Sequence, residues 1–199
     1  MLTCLLLGAV AATARAPHVL VVASSRHNHT YNLGTAIAEG AVGAGAVTRV
    51  RRVAEANFTT DVLEWADAVV IGSPTHFGNP SADMLAWVEA EWGGSWSDPR
   101  MGQKVGAVFA TGGGLMQGIE HVLTSLTRTL WSFRVRVIVP DPSASPTASY
   151  GAVAVTGTPP WFNATMTDVL DSAFVADGRR LGALVASAAA TAVAARAGE

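Results

Sequence analysis

The chain has 199 residues, 50% of them hydrophobic and 14% charged, with a formal net charge of −2. That length suits one domain with a sizeable core, and so apolar a chain is not disordered. Lys104 is the single lysine and Arg49, Arg51 and Arg52 the only basic cluster, too little to neutralise a phosphate backbone, so nucleic acid is excluded as a partner.

Residues 1–16 have an apolar centre, no acidic residue and the small-x-small ending Ala14, Arg15, Ala16. They read as a signal peptide removed from a single domain over residues 17–199. A first β-strand or an organelle transit segment is the other reading. The apolar run of about a dozen residues falls short of the roughly 20 that cross a bilayer, so no stable membrane span is expected. The only cysteine, Cys4, would leave with the signal, and disulfide, thiolate and cysteine-metal chemistry with it. Sequons at Asn28, Asn57 and Asn163 agree with a secretory or extracellular address. Without a signal the address is cytoplasmic or organellar.

Residues 18–24 form an unbroken apolar run, as in a strand buried on both faces. A helix follows over 30–43, with Leu33, Ile37 and Ala41 on one face and glycine at its end. Residues 46–53 carry three arginines, which suits a strand at a sheet edge. Thr60 and Asp61 open a short helix to Trp65. Residues 68–73 read as the next buried strand and 81–92 as a helix. A strand over 102–111 runs into Gly112, Gly113 and Gly114, then come a helix over 118–131 and a strand over 135–140. About 30 residues rich in proline, serine, threonine and glycine follow, a loop length that is usually functional. Residues 172–197 close the chain as a helix with Leu181, Leu184, Val185 and Ala188 as its apolar stripe.

Strands alternating with helices call for an α/β fold: a doubly wound, five-stranded parallel sheet with helices on both faces. Such sheets bind ligands at the carboxyl ends of their strands. The loops after Ser24, Ser73 and Thr111 are therefore the candidate site. The first offers hydroxyls and backbone N–H groups ahead of a helix, either an anion site or a capped polar turn. The second, residues 72–81, has two prolines, two glycines, Phe77 and Asn79. It is either a shelf for a planar heterocycle or a rigid turn with Phe77 in the core. The third lets a ligand approach backbone closely, or is a flexible connection.

Competing chemistries find little support. The histidines at 18, 27, 29, 76 and 121 include no H-E-x-x-H, so no metal is expected, and no G-x-S-x-G elbow occurs. Asp61, Asp67 and Asp83 read as cap and surface carboxylates. Trp65, Trp87, Trp92 and Trp131 sit at helical positions and read as core or interface.

Taken together, these segments resemble the flavodoxin-like, WrbA-like NAD(P)H:quinone oxidoreductase family. The resemblance rests on residues 19–22, 25–30, 36–40, 66–75, 77–79, 93–96, 106–109, 112–114, 137–140 and 149–151. It implies FMN across the three loops and two-electron transfer from NAD(P)H to quinones, the flavin doing the chemistry. Ser25, His27, Asn28, His29 and Thr30 would then hold the FMN phosphate. Pro74, Thr75, His76, Phe77, Gly78 and Asn79 would border the isoalloxazine ring, with Thr111, Gly112, Gly113 and Gly114 on its other side. Trp96 matches an aromatic position near the substrate, and His76 is a candidate donor to reduced flavin or quinone. The resemblance also implies a homodimer or homotetramer.

Three departures stand out. Asn28 replaces a usual glycine, although asparagine tolerates positive φ. His76 replaces an arginine, and Phe133 and Arg134 fall where a late histidine is common. These leave a second reading, a non-catalytic flavodoxin-like FMN-binding electron carrier or a redox-silent scaffold.

Overall fold

Three apolar segments with no polar face can satisfy their backbone only in the middle of a covered sheet, and the computed structural model places them there. It describes residues 15–114, 117–141, 143, 150–156 and 169–198. The strands β1 (His18–Ala23), β3 (Ala68–His76) and β5 (Val105–Gly112) lie side by side, parallel and almost wholly buried. The arginine-bearing β2 (Val47–Arg52) takes the outer edge beside β1. A two-residue β4 (Asn79–Pro80) folds back antiparallel on the end of β3.

The far edge is one strand position shared by two pieces. β6 (Arg136–Val137) pairs with the first residues of β5, and β7 (Ala152–Val155) with its last four. The order is therefore β2-β1-β3-β5, then β6 and β7 end to end. The strand expected over 135–140 is cut to two residues, and the stretch expected to be loop holds β7. Its four alternating alanines and valines are all buried, too short a run to show a period. Gly151 brings the chain back onto β5 so closely that a Cβ there would run into the Val108 carbonyl.

Phe109 and Gly106 stand three apart on β5 and so face opposite sides of the sheet. Phe109 faces α1 (His29–Gly43), its ring occupying room left by Gly72 and Gly34. Gly106 faces α3 (Ile119–Ser132), where Leu130 closes in. On the α1 side lies also α4 (Ser172–Ala197), packed along α1. The two helices meet backbone to backbone: a Cβ at Gly40 would enter the Arg179 carbonyl, and one at Gly182 the Ile37 carbonyl. The contact stripe of α4 therefore runs through Gly178, Leu181, Gly182 and Val185, and the expected Leu184 is exposed.

The segment 53–104 supplies the remaining cover. A π-helical turn, Phe58–Trp65, replaces the short helix expected from Thr60. The expected helix over 81–92 divides into α2 (Ala82–Trp87), capped by Ser81, and a second π-type turn, Val88–Trp92. Trp92 is fully buried among Phe58, Trp87 and Phe133, whose ring centroids lie 5.2–5.4 Å away. Trp131 is 62% exposed and takes no part in this core.

At the amino ends of the strands an ionic cluster replaces the expected surface carboxylates. Asp67, only 4% exposed, accepts from Arg15 at 2.7 and 2.9 Å, from Arg196 at 2.6 Å and from the His18 amide at 2.8 Å. Burial alone would raise its pKa; the Arg15 and His18 hydrogen bonds and the two guanidinium charges hold it below the usual carboxylate value. Asp61 is buried too, accepting from Arg49 and the Asn57 amide at 3.0 Å each. Asp83 is exposed in the first turn of α2, as expected. Lys104 is buried with Nζ donating to the Leu63 and Ala66 carbonyls at 3.1 and 2.6 Å, and desolvation brings its pKa down to about 8. Of the expected signal segment, residues 1–14 lie outside the described residues, whereas Arg15 belongs to this cluster. Among the described residues no helix is long and apolar enough to cross a membrane.

Two consequences can be measured. Gly182→Ala forces α4 off the α1 backbone and should cost about 3 kcal/mol in urea unfolding. Asp67→Asn should cost about 2 kcal/mol at neutral pH. Because the folded pKa of Asp67 is depressed, that difference should persist above the ordinary carboxylate pKa and vanish as pH falls through the acid range.

Candidate functional site

The carboxyl ends of β1, β3 and β5 carry hydroxyls where their interiors carry only apolar groups. Ser24 directly follows β1, Ser73 and Thr75 fall near the end of β3, and Thr111 is the last residue but one of β5. Ser81 ties the first two together: its amide donates to Ser73 Oγ at 2.8 Å, and its hydroxyl to Ser24 Oγ at 2.7 Å. Thr30, in the first turn of α1, shares a 2.7 Å hydroxyl hydrogen bond with Thr111. These bonds fix the three loop roots relative to one another.

Above them lies a cavity of about 270 Å³. Ser25, His27, His29 and Thr30 form one wall; Pro74 and Thr75 form the next, and Thr111, Gly112 and Gly113 the third. The structure thus brings together nine of the sequence-predicted residues from all three loops. Two further wall residues, Arg26 and Thr156, were not singled out from the sequence. Arg26 was readable as the one permanent charge in the first loop. Thr156 lies just past the unanticipated β7, its amide bonded to the Gly112 carbonyl at 2.9 Å; no sequence signal pointed to it.

The first wall is built to receive negative charge. α1 begins here with no acidic residue in its first turn and no cap from the Asn28 side chain, while the Tyr31 amide donates to Ser25 Oγ at 3.3 Å. Arg26 and His27 are exposed beside it. Thr75 Oγ1 is buried in the second wall with no hydrogen-bond partner. A buried hydroxyl left unpaired costs free energy unless a ligand supplies its partner. A Cβ at Gly112 would come within 2.7 Å of the Ile119 side chain, so this glycine lets the start of α3 close on the end of β5.

The remaining predicted residues lie outside the cavity wall. Asn28, at the apex of the first loop, is left-handed with φ 64°, and its side chain turns to Arg52. His76 and Asn79 face each other in the β3–β4 hairpin, whose tip, Phe77 and Gly78, has positive φ at both residues. Asn79 Nδ2 donates to the Phe77 carbonyl at 3.0 Å. Phe77 is fully exposed, so the alternative that it enters the core is wrong. Gly118 lies so near Gly78 that a Cβ would come within 2.6 Å of its Cα, which docks the third loop on the hairpin. A Cβ at Gly114 would meet the Gln117 amide. Trp96 is not brought to the cavity: it packs edge-on against Phe133, and its carbonyl accepts from Arg134 at 2.8 Å. Phe133 and Arg134 precede β6 at the amino end of the sheet, so within one subunit they do not border the cavity. Among the described residues no cluster of three potential metal ligands occurs.

With this geometry in hand, the chain can be set beside known proteins. The family described as NADPH-dependent FMN reductase matches residues 52–150. An NAD(P)H dehydrogenase (quinone) from Paraburkholderia phymatum is 36% identical over 130 residues, 56% of this chain and 65% of that protein. One from Azorhizobium caulinodans is 33% identical over 138 residues, 60% of this chain and 69% of that protein. The chain thus spans roughly two thirds of the length of such relatives. In three dimensions it resembles the flavodoxin, WrbA-like protein from Agrobacterium tumefaciens, with a TM-score of 0.68 at 20% identity over 87% of this chain and 97% of that one. A flavodoxin from the domain Archaea gives 0.61 at 16% identity, covering 86% and 98%.

The sequons separate on geometry. Asn57 is exposed and spends only Oδ1, on the amide and hydroxyl of Thr60. Asn28 is half-buried and held by Arg52 in the first wall's turn. Asn163 lies outside the described residues. Passed through a glycosylating secretory pathway, the folded chain should carry glycan at Asn57 and none at Asn28, as read by peptide mapping.

Proposed function

Because the chain belongs to the flavodoxin-like, WrbA-type family of NAD(P)H dehydrogenases (quinone), we propose that it is an FMN-dependent oxidoreductase carrying two electrons from NAD(P)H to quinones. The observation that carries this reading is the cavity where all three strand-end loops meet, with a helix N-terminus free of acidic residues on one wall and the unpartnered Thr75 hydroxyl on the next. A phosphate suits the first and a ring edge rich in hydrogen-bonding groups suits the second. The residues present therefore fit FMN.

In this reading Ser25, Thr30 and the first turn of α1 hold the phosphate, with the Arg26 guanidinium and the His27 ring beside it. Thr75 donates to or accepts from the ring, while Gly112 and Gly113 let it lie against backbone. The chemistry that FMN supplies when bound is hydride acceptance from NAD(P)H and delivery to the quinone. The chain's part is orientation and electrostatics. His76 stands on the hairpin beyond the cavity wall, where its ring can donate to a substrate stacked outside it. Trp96 lies away from the cavity of its own copy, so the substrate-side role that the resemblance gives it would need a neighbouring copy in a homodimer or homotetramer.

That same placement of Trp96 favours the second reading, an electron carrier or scaffold, should the chain act as a monomer. FMN-loaded protein should oxidise NAD(P)H only when quinone is added, and should scatter light as an oligomer. Bound flavin with no turnover across several quinones would leave the carrier; colourless protein that rejects FMN would leave the scaffold. Thr75→Val should weaken FMN binding about 10-fold, the equivalent of about 1.4 kcal/mol. In the same variant the melting temperature of the flavin-free protein should hold or rise, since an unpaired buried hydroxyl has gone.

A further inference from the structure

The turn that opens α1 asks for glycine and has asparagine. Asn28 sits at φ 64°, ψ −15°, where a Cβ crowds the backbone and a side chain persists only if its surroundings hold it. Asn28 does not use its side chain to cap α1. Its Oδ1 instead accepts from Arg52 Nη2 at 2.8 Å, while Arg52 Nη1 donates to the Ser25 carbonyl at 2.9 Å. The guanidinium carbon stands 4.3 Å from the centre of the Tyr31 ring. Tyr31 in turn donates its amide to Ser25 Oγ at 3.3 Å. One planar cation therefore touches the start of the loop, its apex and the first turn of the helix.

Arg52 is itself well anchored. It is the last residue of β2, in register with Ala23 at the end of β1, and its amide is bonded to Glu55 at 3.1 Å. The grip comes from the sheet, not from the loop it restrains. Each terminal nitrogen gives an N–H to a protein acceptor, and Arg52 is not part of the cavity wall. Its charge is not presented to a ligand there.

We infer that Arg52 is a positioning residue for the phosphate loop, gripping Asn28 and Ser25 so that a non-glycine turn keeps the left-handed shape that receives an FMN phosphate. The inference rests on the FMN reading above. It assigns a use to an arginine that otherwise reads as edge-strand decoration. A lysine cannot replace it, because two acceptors and a ring face need a planar fork.

The test is a double-mutant cycle read by flavin fluorescence quenching on flavin-free protein, with FMN and riboflavin as probes and thermal melting alongside. Arg52→Met should weaken FMN binding about 10-fold and leave riboflavin, which has no phosphate, within about twofold. In an Asn28→Gly background, where the turn needs no grip, the same change should cost FMN less than about threefold. Arg52→Lys should fail to restore the loss. An equal loss in both backgrounds that shrinks with added salt would overturn the inference, since Arg52 would then be acting by charge on the phosphate. Equal losses for FMN and riboflavin with a lowered melting temperature would overturn it too, leaving a general stabilising role. Wild-type protein that melts cooperatively but binds neither flavin would end the FMN reading itself, a result distinct from both.

Discussion

The ring of Phe109 sets how closely α1 lies on the sheet, and the geometry of the site follows from that distance. The ring fills a space that exists only because Gly72 and Gly34 have no side chains. A Cβ at Gly72 would strike it, and one at Gly34 would come within 3.1 Å. Interiors packed this tightly do not yield to a displaced ring without moving the elements around it. With α1 seated, Thr30 comes within 2.7 Å of Thr111 and closes the gap between the first and third loops. α4 is then carried inward by Gly40 and Gly182, where the two helices touch through backbone. Glycine, not a larger apolar residue, is the packing unit on this face.

The two ends of the sheet solve the problem of strand termini with different chemistry. The carboxyl ends use neutral hydroxyls, Ser24, Ser73, Ser81, Thr30 and Thr111, which bond one another and leave room for a ligand. The amino ends use charge: Asp67 gathers Arg15 and Arg196, and buried Lys104 closes on two carbonyls. Ionic closure ties the chain's first described residue and its last helix to one carboxylate. Hydroxyls can exchange partners with a bound molecule at little cost, whereas breaking a buried charge pair is expensive. The division places rigidity at one end and receptivity at the other.

The unbroken apolar runs of β1, β3 and β5 were legible because strands buried on both faces carry nothing else, and with them came the three loops. Arginines on β2 gave away an edge in the same manner. What escaped reading was whatever depends on partners distant in sequence. β7 is four residues whose burial is decided by β5, and Thr156 follows from it. Asp67 looks like a surface carboxylate until Arg15 and Arg196 arrive from opposite ends of the chain. The α4 stripe was misread at Leu184 because a count of hydrophobes overlooks glycine as a contact residue. Trp131 reads as core or interface from its helical position, and α3 turns it outward, away from the core.

The split of the outer strand into β6 and β7 bears on how this protein behaves in a crowded solution. An open sheet offers two lateral edges, and a long flat one templates pairing with another chain. Here one edge is broken: two residues pair at its start, four at its end, and the chain leaves the sheet between them. The opposite edge has Arg49, Arg51 and Arg52, and charge there opposes a second β2 drawing alongside. Among the described residues neither side offers an uninterrupted, neutral row of amides and carbonyls. A broken edge on one side and arginines on the other both disfavour sideways growth of the sheet into a fibre.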